Sequence, residues 1–274
     1  ALIEGKKPKT VLDQAMARFR FILWDALTFA DMATNTPSPE LYNRGQSAVL
    51  GECDVFLSHS WHDSADAKWA ALQKWCETFE ALHGRAPRLW IDKVCIDQND
   101  IDANLLCLPV FLAGCEKLLI LAGPTYVTRL WCVMEMHVYF AMSCGGSHQA
   151  SVEVVPLGDP EMVAATKQAW QAFDAKECDC FDPKDKERLL GVIEKGCGDM
   201  STFNAQVREL LHAFGSAFSN RSDSSSTVFA LRVRDEVRVT THDALKRPSA
   251  EVLPHRVPQD PCGARHGRRH PCVD

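Results

Sequence analysis

The feature that most constrains this chain is an alternation of short apolar runs with helix-length segments. Asp54-Val-Phe-Leu-Ser58 is the first run, and Arg88-Leu-Trp-Ile-Asp92 is the second. Lys117-Leu-Leu-Ile-Leu-Ala122 is the third, stopped by Gly123-Pro124, and Ser151-Val-Glu-Val-Val-Pro156 is the fourth. Runs that are apolar almost throughout fit strands buried on both faces. Between the first two, residues 65–82 carry Trp69, Leu72, Cys76, Phe79 and Leu82 at spacings of three and four, the stripe of an amphipathic helix. Residues 105–115 read as a helix despite Pro109, and residues 129–143 as the next. Strands separated by helices imply βαβ units, and hence a parallel sheet with helices on both faces. Such a sheet binds ligands at the carboxyl ends of its strands. Here those ends are residues 58–61, 92–93 and 123–126.

The rest of the chain divides around this unit. With 274 residues, 46% of them apolar, the sequence suits one ordinary domain with extensions. Residues 1–49 read as a helical extension, with one helix over 19–29. Residues 50–158 form the α/β domain and residues 159–218 a helical annex. In the annex, Asp159-Pro160 and Asp182-Pro183 each place a capping acid before a proline at the first helical position. Ser201 is the expected cap of a third annex helix, with Gly215 at its end. Residues 1–218 hold 20 Lys/Arg against 29 Asp/Glu, whereas residues 219–274 hold 10 against 7. The break falls at the linker-like Ser219-Asn-Arg-Ser-Asp-Ser-Ser-Ser226. Residues 228–239 fit a strand pair, and the last 30 or so read as a disordered tail.

Several function classes are excluded. A formal net charge of -6 argues against a nucleic-acid partner, which needs a basic surface. No apolar run reaches the roughly 18 residues of a membrane span. The twelve cysteines lie mostly inside apolar runs, as in Leu106-Cys107-Leu108, and read as buried reduced thiols of a cytoplasmic protein. No metal is expected. The Asp100, Asp102, Asn104 pattern lacks the glycine and the bidentate acid of a calcium loop. The spacing Cys262…His266…His270…Cys272 fits no common zinc module. Gly191…Gly196 has phosphate-loop spacing without the Lys-Ser/Thr that touches phosphate. Ser58-His59-Ser60 is no hydrolase elbow, because neighbours on a strand point to opposite faces.

Three segments remain, and a parallel sheet would gather them at one crevice. They are Asp54-Val-Phe-Leu-Ser-His-Ser-Trp-His-Asp63, Leu89-Trp-Ile-Asp-Lys93 and Tyr126-Val-Thr-Arg-Leu-Trp-Cys-Val-Met-Glu-Met136. In the third, Trp131 and Glu135 are four residues apart and share a helical face. Glu135 sits among Trp, Cys, Val and Met, where an unpaired buried carboxylate is costly.

Together these segments resemble the Toll/interleukin-1 receptor (TIR) domain family in its plant and bacterial forms. Asp54-Val-Phe-Leu-Ser58 resembles that family's first strand, and Trp90-Ile-Asp92 its second-strand motif. Tyr126…Trp131-Cys132…Glu135 resembles the Trp-Cys-x-x-Glu helix that carries the family's catalytic glutamate. The spacings fit, with 38 residues from Asp54 to Asp92 and 43 from there to Glu135. Trp90-Ile-Asp…Cys-Ile-Asp-Gln98 is also similar to the TIR-related heterokaryon-incompatibility domain. The chain departs from the plant motif at Ser60-Trp61, where that family has Arg-Gly. The resemblance covers about residues 50–157.

It implies a flavodoxin-like three-layer α/β fold with a C-terminal helical extension. It implies cleavage of the nicotinamide–ribose bond of NAD, as a glycohydrolase or ADP-ribosyl cyclase in signalling or defence. Glu135 would be the catalytic residue, with Ser60, Trp61, Asp92, Lys93 and Trp131 contacting substrate. NAD is then substrate and no separate cofactor is implied. Self-association through TIR–TIR contacts is expected. Two alternatives stay open, a non-enzymatic adaptor that signals by self-association and a nucleoside deoxyribosyltransferase-like enzyme.

Overall fold

The computed structural model describes residues 7–36, 38–97, 101–143, 151–219 and 229–232. The chain opens with α1 (Pro8–Arg18), β1 (Arg20–Leu23), α2 (Phe29–Ala33), α3 (Pro39–Arg44) and β2 (Gln46–Ser47). The central part is β3 (Cys53–His59), α4 (Ala65–His83), β4 (Arg88–Trp90), α5 (Asp92–Cys95), α6 (Ile101–Ala113), β5 (Cys115–Ala122), α7 (Leu130–Ser143) and β6 (Ser151–Pro156). Then come α8 (Pro160–Gln171), α9 (Pro183–Cys197), α10 (Met200–Ser219) and β7 (Phe229–Arg232).

The strands form one sheet in the order β2-β1-β4-β3-β5-β6-β7. Its four central strands, β4, β3, β5 and β6, are parallel. Each was legible as an apolar run, and β3 is buried along its whole length, as a strand covered on both faces must be. The strand taken for residues 88–92 ends at Trp90, and Asp92 opens the short helix α5. The chain order of the parallel strands reverses between β3 and β5. In sheets of this kind such a reversal, at the carboxyl ends of these two strands, is where a ligand site is expected.

The sheet is closed at both sides by antiparallel strands. β1 pairs with β4 where a helix over residues 19–29 was expected. Phe21 and Ile22 are both buried, and β4 offers a free edge of hydrogen-bonding groups, so a strand there satisfies both needs. At the other side β7 pairs with β6 and accounts for four of the residues expected to make a strand pair. The tail beyond Arg232, with the Cys/His spacing noted above, lies outside the described residues, as do residues 98–100. Among the described residues no helix is long and apolar enough to cross a membrane.

Helix α4 illustrates how packing selects a face. Ser64 caps its first turn, and Gly84, at φ +68°, ends it in the left-handed conformation that favours glycine. The buried face is Lys68, Leu72, Trp75, Cys76 and Phe79. This stripe is rotated from the expected one, since Leu82 is 77% exposed. Trp75 reaches Glu153 on β6, which also pairs with Lys117 on β5 at 2.7 Å, so the buried carboxylate is satisfied twice. On β3, Asp54 accepts two bonds from the Arg85 guanidinium at 2.6 and 2.7 Å and one from the Arg88 amide at 2.8 Å. Burial opposes its charge, but these donors hold the Asp54 carboxyl below its usual range. Asp54 thereby ties the first parallel strand to the loop that leads into the second.

The annex helices begin as expected, with Asp159 and Asp182 accepting backbone N–H groups in their first turns. Asp199, not Ser201, caps α10, taking the Thr202 amide at 2.7 Å. The helix runs on past Gly215 to Ser219. Phe203, Val207, Leu210, Leu211 and Phe214 are all buried, the stripe expected for this helix.

Candidate active site

The site helix α7 has Leu130, Val133, Met134 and Met136 buried around Glu135, which is itself of intermediate exposure. Glu135 is only partly accessible to water and is otherwise enclosed by protein. The Ser58 hydroxyl, at the end of β3, donates to Glu135 Oε2 at 2.6 Å. Ser58 Oγ is also 2.9 Å from the Tyr126 hydroxyl, which in turn donates to the Cys132 carbonyl at 3.2 Å. Ser58 and Tyr126 are fully buried. Among the described residues no lysine or arginine forms an ion pair with Glu135. Enclosure therefore dominates its titration, pushing the carboxyl up to about 8, against the Ser58 hydrogen bond and with help from the Asp92 charge. A strongly raised carboxyl pKa at a strand end marks a candidate for chemistry.

A second polar group lies beside the first. Trp61 donates its indole N–H to Asp92 Oδ2 at 3.0 Å, and Asp92 Oδ1 takes the Lys93 amide at 2.6 Å. The Lys68 and Lys93 ammonium groups stand 5.0 and 5.5 Å from the Trp61 ring, within cation–π range. His59 packs its ring against Trp61 with centroids 4.4 Å apart. Burial drives its pKa down to about 4, so His59 is neutral at pH 7. The Cys132 thiol donates to the His59 carbonyl at 3.3 Å and joins this group to the site helix. Ser58 and His59 do point to opposite faces, one to Glu135 and the other to Trp61.

The loop after β3 is built on a glycine at the end of β5. Asp63 accepts the Thr125 amide at 2.9 Å and its hydroxyl at 2.8 Å. It lies so close to Gly123 that a Cβ there would sit 2.3 Å from its carboxyl carbon. Only glycine allows this approach. Burial raises the Asp63 pKa, and Lys68 pulls it down from nearby.

The residues expected from sequence fall into three groups. Trp61 and Asp92 are hydrogen-bonded to each other, and the Asp92 charge is felt at Glu135, which is itself bonded to Ser58. Ser60 is buried in the loop, where its hydroxyl lies 2.8 Å from Thr125 Oγ1 and its carbonyl accepts from Lys68 at 3.0 Å. Lys93 turns its ammonium to the end of α2, meeting Asp31 O, Thr34 O and Thr34 Oγ1 within 3.4 Å. Trp131 faces the annex and donates to Asp185 Oδ2 at 3.4 Å. The missed residues are Ser58, which donates to Glu135, and Tyr126, whose hydroxyl lies 2.9 Å from Ser58 Oγ. Lys68 was missed because a lysine in an apolar stripe reads as a solvated edge of the helix.

The arrangement can hold one carboxyl group without a counter-charge, supplied with a hydroxyl donor from behind. It can stabilise a positive charge that develops in front of it. Comparison of the chain with protein-family models, with curated proteins and with solved structures finds no match in any of the three.

Proposed function

We propose that this chain is a TIR-like domain of flavodoxin type that cleaves the nicotinamide–ribose bond of NAD, with Glu135 as its catalytic residue. The reading is carried by one observation. A largely enclosed carboxyl, hydrogen-bonded to Ser58 at the carboxyl end of β3 and without an ion-pair partner among the described residues, also feels the charge of a second acid, Asp92. The order of the parallel strands, second-first-third-fourth, supports the flavodoxin comparison, and the site lies at the reversal between β3 and β5.

The chemistry suits such a group. Nicotinamide leaves from a cationic ring as a neutral molecule, so no general acid is required. Positive charge then grows on the ribose in an oxocarbenium-like transition state. A carboxylate about 4 Å away, at an effective dielectric near 20, interacts by about 4 kcal/mol. Realised only in the transition state, that is roughly a thousandfold in rate. Glu135 is mostly protonated at pH 7, since its pKa is about 8. A substrate cation beside it favours the ionised form, so the substrate itself helps prepare the catalyst. Ser58 holds one carboxylate oxygen, leaving the other for the ribose.

The product is free nicotinamide with ADP-ribose or its cyclic form. Assembly through TIR–TIR contacts belongs to the same reading, as does a signalling or defence role in the cytoplasm. Chromatography of NAD incubated with the purified protein, dilute and under crowding, tests it. The wild type should release nicotinamide and Glu135→Ala should not. Absence of nicotinamide from both, at every protein concentration, overturns the proposal.

A further inference from the structure

The annex has no part in the site as the sequence presents it, yet the structure fastens it to the site helix. Residues 178–185 run as a strap across the turn that leads into α7. The Asp179 amide donates to Thr128 O at 2.7 Å, and the Leu130 amide donates to Asp179 O at 3.0 Å. The buried Cys178 thiol donates to Val127 O at 3.1 Å. These bonds grip the residues on either side of Arg129, between Tyr126 and Trp131. Beyond the strap, α9 is anchored by buried Leu189 and Ile193. In its first turn Asp185 accepts the Trp131 indole N–H. A carboxylate in a helix's first turn is itself steadied by the helix dipole.

Trp131 lies one turn before Glu135 on the same face of α7. Trp61, the other indole assigned to substrate, is already committed, with its N–H on Asp92 and two ammonium groups within 5.5 Å of its ring. We propose that Asp185 is a positioning residue of the active site, by which the annex fixes the orientation of the Trp131 ring beside Glu135. The annex is then a wall of the site, not an appendage. This inference rests on the proposed NAD-cleaving reading for its kinetic consequence, but not for its structural one.

Three variants test it, Asp185→Ala, Asp185→Asn and, as a control, Glu187→Ala, which is exposed on the same helix. The first readout is the ¹⁵N–¹H resonance of the Trp131 indole, assigned with Trp131→Phe. It should move in Asp185→Ala, return in Asp185→Asn, which keeps an acceptor oxygen, and stay put in Glu187→Ala. The second readout is kinetic. The contact is long at 3.4 Å, so Asp185→Ala should raise KM for NAD about threefold to fivefold with little change in kcat. Asp185→Asn should restore most of that loss. An indole resonance indifferent to Asp185→Ala overturns the inference, as does a loss confined to kcat or one that Asp185→Asn fails to rescue. If the wild type is silent towards NAD while the resonance behaves as described, the proposed function fails and the positioning role stands.

Discussion

The titration of Glu135 gives the sharpest prediction. Its pKa is about 8, and the pH dependence of kcat/KM reports groups of the free enzyme. In the proposed reaction the ionised carboxylate is the form that stabilises the transition state. Activity should therefore be low at pH 6, rise through a midpoint near 8 and level off above it. Two variants should displace this midpoint in opposite directions. Ser58 donates at 2.6 Å and favours the charged form, so Ser58→Ala should move the midpoint up. A hydrogen bond to a charged group contributes about 1.5–3 kcal/mol, and one pKa unit is 1.36 kcal/mol. The displacement should be about one to two units. Asp92 repels the ionised form, so Asp92→Asn should move the midpoint down, whatever it does to the maximum rate. The assay is nicotinamide release at subsaturating NAD from pH 5.5 to 10. A flat profile would refute the reasoning, and so would a displacement of both variants in the same direction.

The same titration makes Glu135 a cost to stability. Its pKa is raised from 4.5 to about 8 on folding, so the native state binds an extra proton between those values and stability falls as pH rises through them. Glu135→Gln should raise stability at pH 7 by about 1–3 kcal/mol and should gain less at pH 5, as read from urea unfolding at the two pH values. Asp54→Ala should destabilise by about 1–3 kcal/mol, less than a fully buried pair would because Arg85 is 44% exposed. Since the Asp54 carboxyl is held low, its contribution is present above the unfolded pKa and should vanish as pH falls through the folded one, which urea melts at pH 7 and pH 2.5 would show. On α4, Trp75→Ala should cost about 3–5 kcal/mol while Leu82→Glu should stay within about 0.5 kcal/mol, the reverse of what a stripe through Leu82 implies.

The legible parts of this chain are those fixed by local pattern. Four apolar runs became four parallel strands because a strand covered on both faces has no polar face to show. Asp159-Pro160 and Asp182-Pro183 started helices because capping needs only neighbours in sequence. Glu135 stood out because a carboxylate in an apolar helix has no local explanation. What was hidden depends on partners far along the chain. β1 is a strand because β4 has a free edge, which residues 20–23 do not announce. Ser58 is 77 residues from Glu135, and only the fold brings β3 to the site helix. Lys93 looks like a ligand beside Asp92 until its ammonium is seen at the end of α2. Trp131 reads equally as core or as site until Asp185 comes to it from the annex. On α4, spacing alone placed the stripe about one residue off, since Lys68 can be buried only where Ser60, Asp63 and Asp92 surround it.

Glu135 is proposed to make this strand-end site catalytic. Nicotinamide release from saturating NAD at pH 8.5, where the carboxylate is mostly ionised, compares wild type and Glu135→Gln side by side. The wild type should release nicotinamide steadily, and the variant, at least as stable, roughly a thousandfold more slowly. Equal rates from the two proteins would overturn the assignment.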